Sequence, residues 1–265
     1  MLSSCSVERK LAQGFITNPP PINIQIFSPE ALYKYSHKGE LIPGFDSLTP
    51  SQQDSALFTG SKYIRDIDDS IYLERYVNSF IDELRSLGFK VFVEESIDTF
   101  LKTQPQSYLL TMAQVQLDEY LYPFEDSEEF GDSTFYKRVE LNAVDASSWF
   151  EISKLNAPKP VKTVLHSKLT ATDSFSGRFT LNGFSSDVLY KYKIDSLTIS
   201  DVYDLAKYAG RKHAGYLFDF FMNQYVIFHL PAGEEMPGYL HYDHKNRFLG
   251  LTDEERFEVV PGNRQ

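Results

Sequence analysis

Residues 69–94 read DSIYLERYVNSFIDELRSLGFKVFVE, and this run decides the fold. Apolar side chains fall at Leu73, Tyr76, Val77, Phe80, Ile81, Leu84 and Leu87, the three-and-four spacing that gathers them on one stripe of an α-helix. Asp68 or Asp69 can accept the free amides of the first turn. Gly88 can take the left-handed backbone conformation that closes the last turn. KVFVE, residues 90–94, then reads as a strand. A helix with one apolar stripe must bury it on another layer, and the strand that follows supplies a sheet.

Outward from this unit, residues 22–27 (INIQIF) form a first strand with Ile22, Ile24 and Ile26 on one side. Residues 29–35 start a short helix, and residues 39–61 read as a loop. Downstream, a short helix is expected over 96–102, then three long strands over 107–120, 135–152 and 161–172. In the second of these Val139, Leu141 and Ala143 alternate with Arg138, Glu140 and Asn142, the pattern of a sheet with one wet face, and a bend is expected near Val144. In the third, Leu165, Ser167, Leu169 and Ala171 share a face. A turn over 173–177 leads into a strand over 178–181. A second long helix spans 201–225, capped by Ser200 or Asp201, with Gly210 and Gly215 each costing about 1 kcal/mol and inviting a break. Residues 238–251 read as a hairpin. The helix-Gly-strand unit resembles the packing unit of α/β sandwiches. The expected fold is therefore α+β: a two-layer sandwich with a mixed or mostly antiparallel sheet and two long helices on one face. The chain divides into an N-terminal segment (1–21), a core domain (22–230) and a C-terminal hairpin and tail (231–265).

Composition narrows the functional classes. The 265 residues carry a net charge of −11, which argues against non-specific nucleic-acid binding and against docking on anionic lipid by charge. Aromatic residues reach 15%, with 21 Phe, 17 Tyr and one Trp, enough to fill a core and to face a partner as well. Cys5 is the only cysteine, so no disulfide forms within the chain and no multi-cysteine metal site exists. No segment approaches the roughly 20 apolar residues of a transmembrane helix. The strongest apolar run, 214–230, is broken by Asp219, Asn223, Gln224 and His229.

Leu2-Ser3-Ser4-Cys5 resembles the lipobox of bacterial lipoproteins, in which small residues precede a cysteine that becomes the lipidated N-terminus. The resemblance implies lipidation at Cys5 and attachment to a membrane through that anchor. Residues 6–22, with Asn18-Pro19-Pro20-Pro21, read as an extended tether. Ser6 follows the cysteine where inner-membrane lipoproteins carry Asp, which implies the outer membrane. Ser6-Val7-Glu8-Arg9-Lys10 lacks the acidic cluster that sends Bacteroidetes-like lipoproteins to the cell surface, which implies the periplasmic face. Over residues 22–228 the order β, α, β, short α, β, β, β, α is similar to that of periplasmic assembly lipoproteins, among them lipopolysaccharide-assembly, curli-secretion and ABC-transport auxiliary lipoproteins. No diagnostic motif accompanies this order, so no functional residue transfers from those families.

Three constellations and one ring carry candidate chemistry. His241-Tyr242-Asp243-His244 has zinc-like residue types, but in a hairpin its two histidines point apart, so no metal is assigned. Asp118, Glu119, Glu125, Asp126, Glu128, Glu129 and Asp132 do not follow the spacing of an EF-hand and read as a solvated hairpin loop. Lys207, Arg211 and Lys212, beside His213, form a basic cluster on the second long helix and a candidate partner-binding surface. Trp149 is a candidate stacking platform for a ligand. No Gly-x-Ser-x-Gly occurs, and Gly60-Ser61-Lys62 lacks the spacing of a phosphate loop, so no catalytic residue and no cofactor are assigned. The expected function is non-enzymatic: a lipid-anchored interaction or assembly component of the cell envelope, with an envelope protein complex as partner and no nucleic acid. The alternatives are a glycan- or lipid-binding accessory lipoprotein using Trp149, and a hydrolase with an unrecognised acidic site.

Overall fold

The computed structural model describes residues 6–103, 106–157, 162–181 and 187–261. Cys5 lies outside the described residues. Strand β1 (Asn23–Phe27) is paired in parallel on both edges and buried on both faces, so Asn23 and Gln25 are as enclosed as Ile24 and Ile26. It runs beside β3 (Lys90–Phe92) and the start of β4 (Ser107–Phe130). Strand β2 (Leu32–Ser36) joins β4 further along, with Leu32 opposite Val115. Strand β4 then pairs antiparallel with β5 (Ser133–Lys154), β5 with β6 (Lys162–Thr172), and β6 with the C-terminal β11 (Glu258–Val260). The sheet order is β11-β6-β5-β4-β1-β3, and the protein is mixed α/β with a mixed sheet. Two further hairpins stand outside this sheet: β7 (Ser174–Leu181) with β8 (Val188–Asp195), and β9 (Leu240–Asp243) with β10 (Phe248–Leu251).

The helices are α1 (Val7–Thr17), α2 (Pro50–Gly60), α3 (Asp69–Ser86), α4 (Ile97–Phe100) and α5 (Ile199–His229). Helix α3 starts where Asp68 accepts the Ile71 amide and ends before Gly88, which sits at φ +90°. Its buried stripe is Tyr72, Tyr76, Phe80, Ile81 and Leu84, turned slightly from the stripe expected through Leu73 and Val77. The reason is two tyrosines used as core residues, one with a polar partner: Tyr76 Oη lies 2.7 Å from His213 Nδ1 on α5. Phe80 of α3 stacks on Phe150 of β5 with ring centroids 5.4 Å apart, and His213 meets the same Phe150 edge-on at 5.7 Å.

Helix α5 passes through Gly210 and Gly215 without a break. Gly210 is required by the packing: a Cβ there would lie 2.4 Å from the Tyr76 carbonyl oxygen and 3.0 Å from the Phe80 nitrogen of α3. Its cap is Thr198, not Ser200 or Asp201; Asp201 closes the capping box by accepting the Thr198 amide at 2.8 Å.

Several expectations are corrected. Residues 29–35 do not start a helix; after Pro29 the chain alternates, buries Leu32 and Ser36, and pairs as β2. Residues 39–61 are not a plain loop, because Thr49, Pro50 and Gln52 set up a capping box that starts α2. Residues 7–17 are not an extended tether. They form α1, whose Ala12 and Phe15 are buried, with Phe15 packed on Phe218 and Tyr225 of α5. Within residues 231–261, Leu240 and Phe257 enter the core and β11 joins the main sheet. The irregularity expected near Val144 lies on the neighbouring strand instead, between Met112 and Gln114. The acids from Asp118 to Asp132 do not form a loop: β4 continues to Phe130, and the turn is at Gly131, φ +62°.

From residue 121 to residue 140 no side chain is buried, although the backbone ladder between β4 and β5 is continuous. This far half of the ribbon is an arm of about 30 Å at the usual strand rise. The β7–β8 hairpin packs on it through Phe124 and Phe175, 4.7 Å between centroids, and through the Tyr190 hydroxyl, which donates to Asp126 at 2.7 Å.

Where the core stops and the arm begins lies a chain of buried polar groups. Glu119 of β4 accepts from Lys38 Nζ at 2.6 Å and from the amides of Lys62, Tyr63 and Ile64 at 2.8, 2.9 and 3.2 Å. Lys38 also donates to Asn142 of β5 at 2.9 Å. The backbone and side-chain nitrogens of Asn142 both donate to Asp173, which takes the Leu197 amide on its other oxygen at 2.8 Å. Burial alone would push the Glu119 carboxyl up. The Lys38 ammonium and the three amides overcome this and hold it below the usual carboxylate range. Its contribution to stability is therefore present above the unfolded-state pKa and is lost as pH falls towards the lower folded value.

Glu119→Gln leaves Lys38 buried without its counter-charge and is expected to cost about 3–5 kcal/mol in urea unfolding, with a weaker loss of stability on acidification than the wild type. Gly210→Ala is expected to destabilise by about 1–3 kcal/mol through overpacking. Gly215→Ala, whose Cβ would meet nothing within 4 Å, is expected to stabilise by up to about 1 kcal/mol.

Candidate functional site: a cleft between α5 and the C-terminal hairpin

Helix α5 carries Tyr208, Lys212, Gly215, Tyr216 and Asp219 at helical spacing, on one face. Opposite this face lies the β9–β10 hairpin. The hairpin is held by two polar residues that interrupt the apolar run of α5 one turn apart. Asn223 accepts from the Leu240 amide at 2.9 Å and donates to the Leu240 carbonyl at 2.7 Å, pairing with the strand as a neighbouring strand would. Asp219 takes the Tyr242 amide at 3.0 Å and, on its other oxygen, His241 Nδ1 at 2.5 Å. Between helix and hairpin is a cleft of about 620 Å³, lined by Tyr208, Arg211, Lys212, Tyr216, His241 and Glu255 among others.

The electrostatics of the cleft begin with Asp219, whose side chain is fully buried. Burial pushes its carboxyl up to about 6, against the opposing hydrogen bonds from His241 and the Tyr242 amide. The hydrogen bond that His241 donates to Asp219 in turn raises the imidazole above its ordinary value. Held through Nδ1, the ring turns Nε2 towards Glu255, 3.6 Å away. Glu255 also accepts from Lys212 Nζ at 2.8 Å, and this hydrogen bond leads the effects that hold its carboxyl below the usual range. The series Asp219, His241, Glu255, Lys212 thus alternates carboxyl and basic groups from the buried floor of the cleft to its mouth.

Two sequence constellations meet here, and each divides. Of the basic cluster, Arg211 and Lys212 line the cleft, while Lys207 pairs with Asp204 at 3.4 Å. His213 faces the core, where burial holds it near 3 and therefore neutral. Of the HYDH run, His241 faces Asp219, whereas the His244 ring packs edge-on against Phe218 and Tyr242, each 4.6 Å away. Burial pushes His244 down to about 4. Among the described residues no group of three His, Cys, Asp or Glu is placed to hold a metal ion. Trp149 lies elsewhere, on β5, half-buried with its ring tilted against His166 at 4.6 Å. The carboxylates of Asp219 and Glu255 flank one imidazole and do not face each other. Asp219 and Asn223 were legible only as flaws in an apolar stripe; nothing local indicated that they bind a strand.

No protein-family model matches the chain, and no curated protein matches it.

The dyad makes a direct prediction. A raised imidazole pKa stabilises the fold below the unfolded-state value, and that contribution is lost as pH rises through the folded one. Asp219→Asn is expected to lower the His241 pKa, read from the ring proton shifts in an NMR titration. An unchanged value would show that Asp219 does not hold the proton on His241.

Proposed function

We propose that this protein is a non-enzymatic interaction component of the bacterial cell envelope, tethered through a lipidated Cys5 to the periplasmic face of the outer membrane and docking a protein partner with its β-arm. One observation carries the reading: residues 121–140 form continuous β-structure with no buried side chain. A ladder of that length without a core to cover it is a surface for another molecule. Tyr122 and Tyr136 are exposed on it, Tyr136 at 78%, and Tyr192 of the packed hairpin is exposed beside them. Charges of both signs border these rings, with Lys137 over the Tyr192 ring at 5.7 Å and Arg138 paired with Glu125 at 4.0 Å, so the fitting partner is a protein that admits aromatic side chains.

Helices α3 and α5 form one layer over the face of the sheet marked by Phe150, because Phe80 and His213 both rest on that ring. Helix α1 docks on α5 directly after the anchor position, so the lipid would hold the α5 side of the molecule near the bilayer and leave the arm to reach away from it. No described helix is long and apolar enough to cross a membrane, and attachment falls to Cys5. A glycan-binding accessory role draws less support, since Trp149 is half-covered by its own sheet. A hydrolase draws less too, since the two nearest carboxylates in the cleft are separated by His241.

The test is the natural gene product in its own host. Mass spectrometry is expected to find acyl chains on Cys5, with the protein in the outer-membrane fraction and released by Cys5→Ala. Tyr136→Ser with Tyr122→Ser is expected to abolish crosslinking to the partner without changing the unfolding midpoint. An unmodified protein in the soluble fraction would overturn the anchored reading, and unchanged crosslinks would overturn the arm as the docking surface.

A further inference from the structure

The cleft at α5 has the make-up of a ligand site whose key position is taken by the chain's own carboxylate. Glu255 is half-exposed and sits on the turn between Thr252 and Arg256, outside any helix or strand. It reaches back to a lysine ammonium and an imidazole, each held from behind. Lys212 is fixed by α5, and His241 is oriented by the buried Asp219. Among the described residues, two further cations lining the cleft, Arg211 and Lys245, have no carboxylate within 4.0 Å. Two other acids line the cleft, Glu83 and Asp243; the Asp243 carboxylate accepts the amides of Lys245 and Asn246, which hold it in place on the hairpin turn.

We propose that this cleft binds a phosphate monoester, whose phosphate takes the place of the Glu255 carboxylate between His241 and Lys212. The charge of the ligand decides the class. A free carboxylate brings the same single charge that Glu255 already supplies, and Glu255 has the advantage of being attached. A phosphate monoester brings close to two charges and three acceptor oxygens. It satisfies His241 and Lys212 together and draws on Arg211 as well. The cleft is far larger than a phosphate, and the Tyr208 and Tyr216 rings on its α5 wall offer apolar faces to the organic part. The hydrogen bond to Asp219 raises the His241 pKa, a shift that favours the imidazolium form a phosphate would meet. The phosphate can belong to a soluble metabolite or to a lipid headgroup of the phosphatidate type, and the chemistry of recognition is the same. The inference does not depend on the arm or on the anchor.

The test uses phenyl phosphate titrated into the whole protein by calorimetry, with benzoate as the single-charge control. Phenyl phosphate is expected to bind saturably and benzoate not to compete. Glu255→Gln removes the internal competitor and is expected to tighten binding about fivefold, the scale of an exposed ion pair. Lys212→Gln is expected to weaken it about tenfold, the scale of a hydrogen bond to a charged group. Both side chains are at the surface of the cleft, so both variants are expected to keep the wild-type unfolding midpoint. In parallel, phosphatidylcholine vesicles with and without phosphatidic acid are sedimented with the protein. Binding of phenyl phosphate that Glu255→Gln tightens supports a soluble ligand. Sedimentation only with phosphatidic acid, lost in Lys212→Gln, supports the headgroup. Binding in neither format, or binding that both substitutions leave unchanged, overturns the proposal.

Discussion

Glu119 is the constraint on which the architecture depends. A carboxylate with no exposed surface is tolerated only where its charge and its lone pairs are met, and here four donors from two separate segments meet them. Those segments are the ends of two connections: Lys38 follows β2, and the amides of residues 62–64 follow α2. The charge therefore fixes where both connections rejoin the sheet. Through Lys38 and Asn142 the same network reaches Asp173, and through Asp173 the amide of Leu197 just before α5. One buried chain of polar groups thus sets the neck of the arm and the entry of the longest helix. Past Glu119 and Asn142 the ribbon runs on beyond the core, and there the β7–β8 hairpin packs on it through Phe124 and Phe175.

Helix α5 serves two layers at once, and its sequence shows the cost of each. Towards α3 it presents Gly210, where the helices meet backbone to backbone. Towards the C-terminal hairpin it presents Asp219 and Asn223, which act as the edge of a sheet for β9. An apolar pair at these two positions would leave the Leu240 and Tyr242 amides without acceptors. The cleft is a consequence of this arrangement: the side chain that anchors the hairpin also turns His241 outward towards Lys212 and Glu255.

Much of the secondary structure was legible because it rests on neighbours in the chain. The α3 stripe, its Asp68 cap and Gly88, the long strands after residue 107 and the final hairpin all follow from local periodicity and turn chemistry. The errors have a common origin. Residues 32–36 became a strand because β4 offered them a ladder, and residues 7–17 became a helix because Phe15 found Phe218 and Tyr225. In both cases partners far along the chain chose between states that the local sequence left close in energy. The capping box of α2 is different, since Thr49-Pro50-x-Gln52 was readable and its start signal was passed over.

The candidate site divides along the same line. Sequence by itself determined the residue types: a basic cluster on a helix, a histidine-rich hairpin, an acidic stretch between two strands and a single cysteine near the start. Tertiary structure alone decided which of them meet. It brought Arg211 and Lys212 to His241, sent His213 into the core, packed the His244 ring against Phe218, straightened the acidic stretch into an arm and left Trp149 on a different strand. The reason is physical. Periodicity records which face of an element is buried, because burial repeats with the geometry of the helix or strand. A contact between charges distant in the chain leaves no period, and it exists only once the packed layers have fixed their distance.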